Sequence, residues 1–217
     1  MARLRLFPLR TVLFPGMDLQ LQVFEERYRT LVAECLETGE PFGVVLIKEG
    51  PEVGGSAVPH KVGCTARITS VAPTRDGRLS LSAVGARRFR IGQLYDDLAC
   101  LSADVEYPVD EIAEVPEEAI ETTAERLRQL YRLRDTIGNE YHRELELPAS
   151  ASALADRVGA LGRGMVTDRQ LQRLLSTLNV RRRFDIADDI LTTIVSATHE
   201  QAAAVVAQRW AAPERRN

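Results

Sequence analysis

Lysine is nearly missing from this sequence: Lys48 and Lys61 are the only lysines among 28 basic residues, and the dipeptide Gly-Lys occurs nowhere. A phosphate-cradling P-loop needs G-x-x-x-x-G-K-[ST], because backbone amides and one lysine together hold the nucleotide phosphates, so this chain carries no such loop. A serine-lysine peptidase dyad would have to draw on Lys48 or Lys61, both beside loops in the first half of the chain. The arginine bias is read as a codon effect rather than a selected surface. Cysteine is scarce and odd in number, and Cys35, Cys64 and Cys100 each sit in an apolar pattern, where a free thiol behaves as a small buried hydrophobe. No run approaches the ~20 apolar residues of a membrane span. The apolar N-terminal run is short, broken by Pro8 and followed by Arg10, with no small-residue cleavage site, so a cytoplasmic location is expected. An excess of positive charge is also lacking: the formal net charge of −3 gives no general attraction to phosphate backbones.

Metal ligands do not cluster. His60 and Cys64 have ligand-like spacing but no second pair, since Cys35, Cys100, His142 and His199 are scattered singly, so neither metal nor cofactor is expected. Three near-motifs fail on their chemistry. In His199-Glu200-Gln201-Ala202-Ala203, alanine stands where the second zinc-binding histidine of a metalloprotease helix must be. Gly54-Gly55-Ser56-Ala57-Val58 lacks the second glycine of a nucleophile elbow and reads as a loop. Gly159-Ala160-Leu161-Gly162-Arg163-Gly164 misplaces its glycines for a dinucleotide site and follows a helix rather than a strand. No enzyme is expected from this set.

What is present is ordinary globular material, 45% hydrophobic and 27% charged, with an informative start. Phe7-Pro8 and Phe14-Pro15 bracket an apolar run, Pro15-Gly16 turns the chain, and Leu19, Leu21 and Val23 alternate as in a half-buried strand. From Glu25 the positions Tyr28, Leu31, Val32, Cys35 and Leu36 trace one face of a helix that stops at Gly39. Phe42 to Ile47 is a buried strand. Glu49 to His60 reads as a mobile loop. Val62 to Val71 and Leu79 to Val84 form a hairpin across Arg75-Asp76-Gly77, and Arg87 to Ile91 and Leu98 to Tyr107 complete the strands. Many short strands around one helix predict a compact, partly closed β-barrel-like domain.

After Tyr107-Pro108 the apolar period changes from 2 to 3.6, which places a boundary between a β-rich domain, 1–109, and a helical bundle, 110–217. Pro116 opens a helix ended by Gly138, and a second runs from Ser150 to Ala160. Thr167 and Gln170 form a capping box for a third, with Leu171, Leu174, Leu175 and Leu178 as its core stripe. Asn179 breaks the chain before a long final helix carrying Phe184, Ala187, Ile190, Leu191, Ile194 and Ala202. The Arg181-Arg182-Arg183 run reads as its solvated face, paired with Asp185, Asp188 and Asp189. The tail AAPERRN is expected to fray. The fold class is therefore α+β.

The N-terminal pieces resemble the N-terminal, substrate-binding domain of Lon proteases. The likeness lies in Leu6 to Leu9, Leu13 to Gly16, Val23 to Arg29 and Leu36 to Ile47, and it continues through Val62 to Ile68, the Asp76-Gly77-Arg78 turn, Val84-Gly85 and Arg88 to Ile91. It implies a PUA-like β-barrel-like domain with one embedded helix, similar also to the β part of cereblon, a ubiquitin-ligase receptor. No ATPase or peptidase motif accompanies it, so a stand-alone, non-catalytic module is expected. The resemblance implies binding of unfolded or exposed polypeptide segments in protein quality control or as an adaptor, with an ATP-dependent protease as a further partner. Phe14, Met17, Phe24 and Tyr28, around the Pro-Gly turn and the first helix, are the candidate peptide-binding residues. The alternative is a PUA-like RNA- or nucleotide-binding protein with Arg87, Arg88 and Arg90 on phosphate; an enzyme with an unrecognised site comes third. Nucleic acid is disfavoured by charge, and oligomeric state stays open.

Overall fold

The computed structural model describes residues 2–54, 57–96, 100–138 and 146–210. It divides into two compact units. The first comprises residues up to Glu111 together with Thr167–Leu178; the second comprises Ile112–Val166 and the chain from Asn179 onward.

In the first unit, β1 (Ala2–Leu9) leads through the Pro15-Gly16 turn into β2 (Asp18–Val23), then α1 (Glu26–Thr38) and β3 (Phe42–Glu49). This is the order of elements the alternating and 3.6-residue patterns predict. A short β4 (Val58–Pro59) follows, then β5 (Val62–Pro73), the 17-residue β6 (Leu79–Tyr95) and β7 (Ser102–Glu106). β1 pairs antiparallel with β7 and parallel with β3, and the path β1-β7-β6-β5-β3 closes on itself through Leu6↔Gly43 and its neighbours. The closed ring surrounds Leu4, Leu6, Val45, Phe89, Ile91, Ala103 and Val105. Burying each of the larger side chains contributes roughly 1.5–3 kcal/mol, and strands covered on both faces, such as β3 with Phe42 to Ile47 all buried, are apolar throughout rather than alternating.

Two expectations change. Val84-Gly85 does not end a strand. β6 runs through it because a Cβ at Gly85 would lie 2.1 Å from the Phe14 carbonyl oxygen; glycine lets residues 14–17 cross the strand, with Gly16 donating to the Gly85 carbonyl at 2.8 Å. The stretch from 49 to 60 is tied down at several described points and contains β4. The Arg10 amide donates to Glu52 at 3.1 Å, the Arg10 guanidinium to the Gly50 carbonyl at 3.0 Å, and the Gly54 amide to Glu25 at 3.3 Å.

α4 (Asp168–Ser176) belongs to this first unit, although its pattern assigned it to the bundle. It carries the expected capping box of Thr167 and Gln170. It buries Leu171, Leu174 and Leu175, with Gln172 Nε2 donating to the Val62 carbonyl of β5 at 3.0 Å. An amphipathic stripe says which face is buried, not what covers it.

The second unit packs α2 (Glu117–Gly138), α3 (Ala151–Leu161) and α5 (Val180–Trp210) around Leu127, Leu130, Leu154, Val158, Ile190, Leu191 and Ile194. Asn179 accepts from the Arg182 amide at 3.0 Å, so the residue that separates α4 from α5 also caps the latter. Arg181 pairs with Asp185 at 3.0 Å as the spacing predicts. Arg183 does not join that solvated face: it is fully buried and donates to Ser152 Oγ at 2.6 Å. Asp188 receives Arg126 of α2 at 2.8 Å. The frayed-tail expectation, the start of the predicted strand at Leu98, and His142 lie outside the described residues.

Candidate functional site

The four residues chosen for peptide contact part company in the structure. Phe14 is fully buried, Met17 is buried beside the Gly85 crossing, and Tyr28 stacks on Phe7 with ring centroids 3.9 Å apart and planes 8° apart. Burial also pushes the Tyr28 phenol up to about 12, with Glu25 adding to the rise and Arg27 opposing it. Only Phe24 is open, at 49% exposure, with the Arg78 guanidinium 5.7 Å from its ring. Apolar residues at a Pro-Gly turn and on the inner helix face serve the core first, which explains why three of the four are covered.

Phe24 borders a surface that the local pattern did not single out. Past the closed ring, the first half of β6 forms a three-stranded sheet with β2 on one side and the distal half of β5 on the other. Directly opposed residues point to the same face, so Leu21↔Leu81↔Val71, Val23↔Leu79 and Leu19↔Ala83↔Ile68 share one apolar face. A bulge between Ile68 and Ser70 re-phases β5 and keeps Val71 on it. Leu19, Val23, Leu81 and Ala83 are buried there, whereas Leu21, Ile68, Val71 and Leu79 are only half-covered. The opposite face is polar, with Ser82 donating to Gln20 at 2.9 Å. Among the described residues, nothing pairs with the outer edge of β2, and β5 beyond Ala66 pairs with β6 alone. The hairpin tip is held still: Gly77 takes a φ of 79°, Thr74 bonds Asp76, and Arg29 of α1 donates to the Gly77 carbonyl at 3.0 Å. Two open sheet edges flanking a half-covered apolar face can accept an extended chain by main-chain pairing, with alternate side chains on Leu21 and its neighbours.

The arginines proposed for phosphate do not form one surface. Arg88 is buried and its Nε donates to the Leu175 carbonyl at 3.0 Å, while Arg87 lies over the Tyr107 ring at 4.5 Å and Arg90 faces solvent. Alternation separates Arg87 from Arg88, and Arg88 is set apart from Arg90 by its bond to the Leu175 carbonyl of α4. Among the described residues no three His, Cys, Asp or Glu side chains are grouped to hold a metal, and no helix is long and apolar enough to cross a membrane. The three cysteines are buried thiols, none in a disulfide, with Cys64 donating to the Thr65 carbonyl and Cys100 to the Arg27 carbonyl. Burial drives the Cys35 and Cys100 thiols up to about 11.

The family of the ATP-dependent protease La (LON) substrate-binding domain matches residues 3–193. The chain belongs to this family. As a Lon substrate-binding domain it is 27% identical to the Lon protease of Anaeromyxobacter dehalogenans over 202 residues, 88% of this chain and 23% of that protein. Against the Lon protease of Syntrophus aciditrophicus the identity is 25% over 181 residues, 80% of this chain and 22% of that protein. The chain thus spans less than a quarter of the curated Lon proteases it matches. Its fold is that of the Lon N-terminal domain protein of Xanthomonas campestris, with a TM-score of 0.65 and 29% identity over 85% of this chain and 96% of that one. The N-terminal domain of Mycobacterium avium complex Lon protease shares the fold, with a TM-score of 0.61 at 22% identity over 88% and 98% of the two chains. The matched region contains the substrate-binding domain and neither an ATPase nor a peptidase domain.

Proposed function

We propose that this Lon substrate-binding domain holds exposed, extended polypeptide segments without chemistry of its own, as a recognition module or adaptor in protein quality control. One observation carries the reading: the unpaired edge of β2 stands beside the half-covered apolar residues Leu21, Ile68, Val71 and Leu79, with exposed Phe24 at its end. A bound segment would add a strand along Asp18–Val23, and burial of its alternate side chains supplies affinity with little sequence demand. That suits clients defined by being unfolded. The likeness to Lon proteases supports an ATP-dependent protease as the partner to which such clients would be delivered.

Leu21→Asp combined with Val71→Asp should test this directly. Both side chains are largely covered, so the double variant should lose some stability; at a temperature where it remains folded, its affinity for a labelled unfolded peptide should fall about tenfold or more, the equivalent of one buried aliphatic side chain. Unchanged affinity in a folded double variant would remove β2 and its neighbours from the binding surface.

A further inference from the structure

Away from that sheet, still within the first unit, α4 and the β3–β4 region border a cavity of about 530 Å3. The volume falls inside the range of about 300–1,000 Å3 found for small-ligand pockets. Arg169 and Arg173, four residues apart on α4, line it together with Arg10, and the apolar part of the wall is Leu46 and Ile47. The remaining ionisable wall residues are Asp168 and His60. Burial and the nearby Lys48 hold His60 below its usual range, so it adds no positive charge at neutral pH. Three guanidiniums against one carboxylate make this a locally cationic hollow in a chain of net charge −3.

A second feature is independent of charge. Gln172, 6% exposed, is part of the same wall. Its Nε2 donates to the Val62 carbonyl and to Ser176 Oγ, both at 3.0 Å, which fixes which way the amide faces. Its Oε1 is buried and receives no hydrogen bond from any described residue. Shut off from solvent, that oxygen offers the hollow no acceptor, and the two donated bonds make Gln172 a fixed part of its floor. The wall therefore calls for an anion that carries an apolar group within one small volume.

We propose that this cavity captures the C-terminal end of a polypeptide. The terminal carboxylate would accept charge-assisted bonds from Arg169 and Arg173, and an apolar terminal side chain would rest on Leu46 and Ile47. Inorganic phosphate supplies the anion without the apolar group. An internal chain segment supplies the apolar group without the terminal charge. The site shares no residue with the β2 edge, so it goes beyond the preceding reading and stands or falls separately from it.

The test compares two fluorescein-labelled hexapeptides ending in leucine, one with a free carboxylate and one with a C-terminal amide, titrated against the full chain at about 150 mM salt. The free acid should bind about tenfold tighter or better, the worth of a charged hydrogen bond. Arg169→Ala with Arg173→Ala, both at exposed positions, should abolish the difference and leave binding of a long unfolded probe with blocked ends unchanged. Equal affinity of acid and amide for the unaltered chain would overturn the proposal, as would no binding of either peptide. Displacement of the acid by inorganic phosphate or single-stranded RNA at equal concentration would also overturn it and reassign the hollow to phosphate.

Discussion

Capping and burial of single side chains set the strongest residue-scale expectations. Thr167 and Gln170 satisfy each other's backbone donors at the start of α4, a pattern readable directly from their spacing. Thr167→Ala should cost about 1 kcal/mol in urea unfolding. The buried Cys35, Cys100 and Tyr28 hydrogens are held more tightly in the folded chain than in the unfolded one, with values near 11, 11 and 12 against ordinary values of 9.0, 9.0 and 10.0. Because the folded state then binds more protons, stability should be fully present below about pH 9 and decline as pH rises toward about 12. Urea midpoints across that interval measure the loss, and a flat profile would contradict the burial assigned to these groups. Arg88 and Arg183 show where local reading stops. An arginine beside other arginines is assigned to solvent by default, whereas here the Leu175 carbonyl and Ser152 supply acceptors that bury both.

At the scale of elements, periodicity located every helix and most strands, since each face must alternate at the period of its own backbone. It could not assign partners. The leucine stripe of α4 fits a bundle and a barrel wall equally well, and β5 gives no local sign that its distal half lacks a neighbour on one side. α5 is decisive for the second unit, because it packs against both α2 and α3 and buries Ile190, Leu191 and Ile194. Deleting residues 185–217 should leave Leu127, Leu130 and Leu154 uncovered and yield insoluble or molten product. A soluble fragment with an unchanged cooperative melt would show that the final helix is dispensable to that core.

For the whole molecule, the distinction between an apolar and a phosphate-binding surface is measurable through salt. Polypeptide held by burial on the β2–β6–β5 face should bind with an affinity that changes little between about 50 and 200 mM salt, whereas phosphate contacts release counterions and would weaken steeply over that interval. Anisotropy titrations with an unfolded peptide with blocked ends and a single-stranded RNA should give salt-tolerant, micromolar-class binding for the first and none for the second at the higher salt. Tight, salt-sensitive RNA binding without peptide affinity would reverse the functional reading. By itself the sequence determined the kinds and order of elements, the caps, the period change near Pro108 and the resemblance to the Lon substrate-binding domain, because these depend on residues within a few positions of one another. Tertiary structure alone decided that β1 closes the ring against β3, that α4 joins the β-rich unit, that Phe14, Met17 and Tyr28 are covered, and that the β2 edge and the Arg169–Arg173 hollow are open. Those outcomes depend on pairings between residues distant in the chain, and solvent exposure is a property of what fails to pack as much as of what does.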